Sequence, residues 1–254
     1  MKILLTISYV GTNYQGYQLQ GEKPTVSLML NRAVRQAFGI ECNVTGCSRT
    51  DSGVHANGYC ATVEPKNQNE KITVPIDKIP LTINLALPSD IAVISAREVE
   101  NDFHARYSVE KKEYIYKIRA SEIRNPFLDK KVLEYGKKIT DEAFEKMQKA
   151  ASYYVGTHHF DAFMSAGSKI ENTERTVFES YLTRNDEIIE FHILADGFLY
   201  NMVRIMVGTL LDVEKGKLQP EEIPEIIKSK SRKNAGGTAK PDGLYLHKIF
   251  YQHS

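Results

Sequence analysis

"TVSLMLNRAVRQAFG", residues 25–39, places Val26, Met29, Leu30, Ala33, Val34, Ala37 and Phe38 at helical spacing. Thr25 stands where an N-cap hydroxyl belongs and Gly39 where a helix stops. Such a helix has one apolar stripe and must lay it on something. What flanks it is strand-like. "KILLTISYV" (2–10) precedes it, and "NGYCATVE" (57–64) and "DIAVISAREV" (90–99) follow. Between those two, "VPIDKIPLTINLAL" (74–87) reads as a second helix ended by Pro88. The order strand, helix, strand, helix, strand predicts a small α+β layer fold.

The second half follows a similar order without any repeat in its residues. "KEYIYKIRA" (112–120) alternates as a strand, and "TDEAFEKMQKAASYYVG" (140–156) is a capped amphipathic helix. "TVFESYLTR" and "EIIEFHILA" read as a hairpin about Asn185 and Asp186. "LYNMVRIMVGTLLDVEKG" (199–216) is a helix and "GLYLHKIFY" (243–251) a closing strand. The expected organisation is two helix-backed antiparallel sheets, residues 1–105 and 106–254, joined near "NDFHARYS".

The 254 residues carry 33 basic and 32 acidic side chains, which argues against a protein that coats nucleic acid. The charge is uneven, however. Residues 104–138 hold ten Lys or Arg against five acids, whereas residues 64–103 hold four against seven. A local basic face can grip a polyanion, although charge runs are commonly just solvated surface. No apolar run reaches the roughly 20 residues that span a bilayer, and the opening residues lack the pattern of a secretion signal. A cytoplasmic protein is expected. Cys42, Cys47 and Cys60 form no C-x-x-C pair, so they read as bystander thiols, and no metal is expected.

Chemistry concentrates in "GCSRTDSGVH", residues 46–55, where Arg49 and Asp51 stand two apart among small residues and His55 follows. Arg204 is a second signal. Its helix is apolar nearly all round, so it should be buried, and a buried guanidinium needs a partner. Gly208, one turn on, leaves room for that partner, expected to be a carboxylate from elsewhere. A structural ion pair and a functional cation both satisfy the pattern. Tyr114 and Tyr116 share one face of a strand beside Lys111, Lys112, Lys117 and Arg119, as sheet packing or as a platform for bases. His104, Arg106, His158 and His159 are lone polar signals. No nucleophile elbow, Walker loop, dinucleotide fingerprint or zinc-deaminase signature is present.

Taken together and in order, these stretches resemble the tRNA pseudouridine synthase A family. "GCSRTDSGVHA" resembles its G-R-T-D-A-G-V-H-A motif. "YVGTNYQGYQLQ", "NLALPSDIAV", "DFHARYSVEKKEYIY", "FLYNMVRIMVGTLLDVEKG" and "GLYLHKIFY" are similar to its other blocks. Ser48, Ser52, Tyr17 and His159 depart from the usual Gly, Ala, Trp and Asp, and "AGGTAKPDGL" is a variant of the loop before the family leucine.

The resemblance implies an isomerase that converts uridine to pseudouridine in the anticodon stem-loop of tRNA, at positions 38, 39 and 40. It implies the pseudouridine synthase fold: α+β, two ferredoxin-like halves with antiparallel sheets joined into one larger sheet, helices on one side. It also implies a homodimer with no metal or organic cofactor, and an isomerisation exchanges neither electrons nor groups. Asp51 would be the nucleophile, attacking either ribose or uracil, and Arg204 its paired cation. Arg49 would help extrude the base. Tyr114 and Leu244 would pack on its two faces, with His55 and Arg106 as further substrate-binding residues. A catalytically idle RNA-binding paralogue is the runner-up, and a metal-assisted hydrolase using Asp51 and His55 a weak third reading.

Overall fold

Helix α1 (Val26–Phe38) forms where the spacing predicts it. The Thr25 side chain accepts from the Leu28 amide, and Gly39 ends the helix in the left-handed region at φ 68°. Val26, Leu30, Ala33 and Val34 make up its buried stripe. This is a computed structural model that describes residues 1–167 and 170–252. The chain divides into two compact units, Met1–Glu110 with Tyr245–Ser254, and Lys111–Leu244.

The first unit is built from β1 (Lys2–Tyr9), α1, β2 (Cys42–Gly46), β3 (His55–Pro65), α2 (Ile79–Asn84) and β4 (Ile91–Val99). That βαββαβ order is the ferredoxin-like unit. β1 lies between β4 and β3, antiparallel to both, and β2 pairs antiparallel with the far side of β3. The β2 strand has no counterpart in the sequence reading, because "CNVTG" buries only Cys42. α2 is shorter than the predicted 14-residue run. Pro80 lacks an amide hydrogen and fits only the first turn, so the helix starts at Ile79. The closing strand β10 (Leu244–Tyr251), read with the second half of the sequence, enters this unit from Tyr245 onward. There it runs parallel to the start of β3, with Tyr245 opposite His55 and Leu246 opposite Ala56.

In the second unit β5 (Val109–Arg119), β9 (Ile188–Ala195), β8 (Glu174–Asn185) and β7 (Gly156–His159) lie side by side, all antiparallel. The two-residue β6 (Leu133–Glu134) pairs with the end of β5. The hairpin between β8 and β9 turns at Asp186, as expected. α3 (Asp141–Ser152), capped by Thr140, packs on α4 (Met202–Glu214), and α5 (Ile223–Ser229) follows. The core gathers Tyr116, Met147, Tyr154, Phe160, Phe163 and Phe191 with Ile205 and Met206. Both units combine helices with largely antiparallel strands, so the α+β class stands. Among the described residues no helix is long and apolar enough to cross a membrane.

Candidate active site

In the first unit the segment from Cys47 to Val54 connects β2 to β3 and carries Asp51. A layer of aromatic side chains holds it. The Tyr59 hydroxyl donates to the Ser48 carbonyl at 2.6 Å, and Tyr9 and Thr50 share a buried hydroxyl bond at 2.9 Å. Tyr17 stacks on Tyr59 with ring centroids 4.2 Å apart. Its hydroxyl and that of Tyr59 are pushed above the ordinary tyrosine range by burial. Residues 11–17 press against the loop backbone: Tyr17 N–H donates to Thr50 O and Gly53 N–H to Tyr14 O, both at 3.3 Å. A methyl group at Gly16 would lie 2.3 Å from Thr50 O, so only glycine lets the two segments approach.

On this rigid bed Asp51 is half-buried and Arg49 exposed. Gly53 takes φ 80°, which turns the chain into β3. His55 is fully buried, and its Nδ1 accepts the Gly11 amide at 3.0 Å while its ring stacks on Tyr245. That bond assigns the imidazole a bare Nδ1. Arg106 is exposed, with its guanidinium 5.7 Å from the Tyr107 ring centroid. The neighbouring His104 is spent locally, its Nδ1 accepting the amides of Arg106 and Tyr107. All three cysteines are buried thiols outside any disulfide, and among the described residues no three potential ligands gather to hold a metal ion.

In the second unit Tyr114 is 7% exposed and meets Phe198 edge-on at 4.9 Å. Tyr116 is wholly buried, so it is core rather than an open stacking platform. Its hydroxyl donates to Lys240 O at 2.7 Å. Burial pushes that hydroxyl above its ordinary range, with the Arg204 guanidinium pulling the other way.

Arg204 differs from its sequence reading in two respects. It is half-buried rather than buried, because α4 begins at Met202 and leaves it in the first turn. The room at Gly208 is taken by backbone: a methyl group there would lie 1.7 Å from Gly237 O. Arg204 Nε donates to Ala239 O at 2.7 Å and a terminal nitrogen to Asn201 Oδ1 at 2.7 Å. Asn201 in turn donates to Ser165 Oγ. The loop from Ala235 to Gly243 that lies along this helix ends at Leu244, which is 6% exposed. The part played by this loop was missed in the sequence. Its visible signals were the glycine pair Gly236-Gly237 and the likeness of "AGGTAKPDGL" to the loop before the family leucine.

The family described as tRNA pseudouridine synthase matches residues 5–108 and 150–252. The chain is 43% identical over 249 residues to a tRNA pseudouridine synthase A of Acetivibrio thermocellus, spanning 98% of this chain and 99% of that one. A protein of the same name from Thermoanaerobacter sp. (strain X514) is 42% identical with the same coverage. One from Clostridium acetobutylicum is 38% identical over 250 residues, again 98% and 99% of the two chains. With both halves matched and relatives aligned end to end, the chain belongs to the tRNA pseudouridine synthase family.

Proposed function

We propose that this protein isomerises uridine to pseudouridine in the anticodon stem-loop of tRNA, at positions 38, 39 and 40. The observation that carries the proposal is the Asp51 loop: a half-exposed carboxylate on a backbone gripped by Tyr9, Tyr17 and Tyr59. A nucleophile must meet its substrate in a fixed geometry, and such a bed supplies it without ordering cost at the moment of reaction.

Asp51 is the nucleophile in this reading, and Arg49 helps extrude the target base. Extrusion suits an exposed side chain, since the base must leave its stack before chemistry. Tyr114 and Leu244 pack on the uracil, Arg106 contributes to substrate binding, and His55, wholly buried, contributes by holding the loop through Gly11 and Tyr245. Arg204 is the cation assigned to the nucleophile. Its place in the first turn of α4 supports a role beyond the helix, because the helix dipole disfavours a cation there.

Phosphate contacts from the basic residues between 104 and 138 would position the RNA while a pocket reads the base. The working form is a cytoplasmic homodimer. Ile123 and Phe127, exposed at 78% and 83%, are apolar surface that a second copy would cover. The test is incubation with unmodified tRNA transcripts followed by chemical mapping of pseudouridine. Label in the anticodon arm is expected. Its complete absence would leave an RNA-binding protein without this activity.

A further inference from the structure

Residues 228–233, "KSKSRK", are a basic run, and three of its four cations behave as one would expect of a solvated surface. Lys228, Lys230 and Lys233 are exposed. Arg232 is not. It is half-buried, and its guanidinium turns back onto its own chain. One terminal nitrogen donates to Ala235 O at 3.2 Å and Gly236 O at 2.8 Å, and the other to Thr238 Oγ1 at 3.3 Å.

The segment so gathered has almost no regular structure of its own, yet it is tied to α4 and β5 at successive points. Gly236 N–H donates to Thr209 Oγ1 at 2.9 Å, and Thr209 is fully buried in α4. Gly208 and Gly236 let the two backbones touch, since a methyl group at Gly236 would lie 2.6 Å from the carbonyl carbon of Gly208. Ala239 then bonds Arg204 in both directions, and Lys240 O accepts from Tyr116. Gly243 lies close against the Tyr116 ring, where a methyl group would come within 2.7 Å of it, and Leu244 follows.

We propose that Arg232 is a positioning residue for the reaction: by closing the turn over Ala235, Gly236 and Thr238 it sets Ala239, and through Ala239 the direction of the Arg204 guanidinium. The inference rests on the proposed function, in which Arg204 serves the nucleophile. A guanidinium held at Nε can point its opposite edge in one direction only. Shifting its anchor by even an ångström misdirects the charge, and displacements of that size cost about 100-fold in rate. Thr209 and the paired glycines keep the loop on the helix when Arg232 is removed, so the loop shifts locally and the unit stays folded.

The test compares Arg232→Ala, Arg232→Lys and Lys230→Ala on a tRNA transcript, with amide hydrogen exchange measured on the same proteins. Arg232→Ala is expected to lower kcat roughly 10- to 100-fold with KM within about threefold, the signature of an interaction made in the transition state. Arg232→Lys recovers part of kcat, because an ammonium can still meet the two carbonyls. Lys230→Ala leaves kcat unchanged. Exchange at the Ala239 amide accelerates in Arg232→Ala while α4 keeps its protection.

Wild-type kcat in Arg232→Ala, or unchanged exchange at Ala239, overturns the proposal. So does a rise in KM alone with a salt slope reduced by about one, which would make Arg232 a phosphate contact. A wild-type protein that forms no pseudouridine sinks the proposed function first and this inference with it. Normal wild-type turnover beside an indifferent Arg232→Ala sinks the inference alone.

Discussion

Arg204 and Ala239 bond to each other twice. The Ala239 amide donates to the Arg204 carbonyl at 3.0 Å, and Arg204 Nε donates back to the Ala239 carbonyl at 2.7 Å. Backbone and side chain of one residue thus hold the backbone donor and the backbone acceptor of another. The guanidinium is fixed along its Nε edge by this exchange and along a second edge by Asn201. An arginine clamped in this way is a directed charge, and removing it affects both the loop and whatever the charge faces.

Asp51→Asn should abolish pseudouridine formation while tRNA affinity stays within a few fold. Amide and carboxylate are nearly the same shape, so the loop keeps its bed of tyrosines and loses only the proposed nucleophile. Turnover and filter binding on the same preparation check this. Retained turnover removes Asp51 from its role.

Arg204→Ala should lose its bonds to Ala239 and Asn201, costing about 1.5–3 kcal/mol for each charged hydrogen bond lost. It should also lose turnover per folded molecule. Arg204→Lys keeps the charge without the planar fork, so it should be more stable than the alanine variant yet remain impaired. Wild-type-like turnover on the folded fraction of Arg204→Ala would return the residue to the scaffold.

Two adjacent glycines should respond differently. A methyl group at Gly236 meets the α4 backbone at 2.6 Å, whereas at Gly237 it meets nothing within 4 Å. Gly236→Ala is therefore expected to destabilise by about 1–3 kcal/mol through overpacking. Gly237→Ala should stay within about 0.5 kcal/mol of wild type. Urea unfolding of both variants decides the matter, and equal effects would remove the backbone-on-backbone contact as the reason for the pair.

Stability should fall on the alkaline side. Burial raises the Cys42 thiol from 9.0 to about 11 and lifts the hydroxyls of Tyr17, Tyr59 and Tyr154 above their ordinary 10.0. The folded chain then holds protons that the unfolded chain releases. These groups contribute fully below pH 9 and lose that contribution as pH rises, each by about 1.4 kcal/mol per unit while the two states differ by a full proton. Urea midpoints from pH 7 to 11 should be level at first and drop above about pH 9. A level profile throughout would contradict the burial of these hydroxyls.

Phe127→Asp should shift the protein from dimer to monomer in sedimentation, because a charge cannot be covered at an apolar contact without cost. The segment around Phe127 should survive, since Arg119 donates to the Ile123 carbonyl at 2.5 Å and the Asn125 amide donates to Glu134 at 3.2 Å. A variant that sediments like wild type would move the interface elsewhere.

Local signals carried much of the fold. Helix α1 was legible to its last residue, because a threonine cap, an apolar stripe and a glycine stop all lie within one stretch. The β8–β9 hairpin was legible for the same reason. β2 and β7 were not, since "CNVTG" and "GTHH" offer no alternation of apolar side chains to read. Helix α5, seven residues long, is too short to show a period. At the site, Arg204 was visible as an oddity in an apolar helix, but its neighbours at Gly208 come from residues 28 and 29 positions later. No periodicity encodes a contact between two glycine backbones.

The division of the chain has a consequence for its synthesis. His55 and Ala56, which lead out of the Asp51 loop, pair with Tyr245 and Leu246, and residues 111–244, made between them, belong to the other unit. A ribosome adding roughly 5–20 residues per second needs on the order of ten seconds to make residues 111–244. Throughout that interval the nascent first unit has β1 to β4 available but lacks the neighbour for the start of β3. The strand beside the start of β3 is thus finished last, and a half-made protein emerging from the ribosome would meet the abundant tRNA around it with that edge still open.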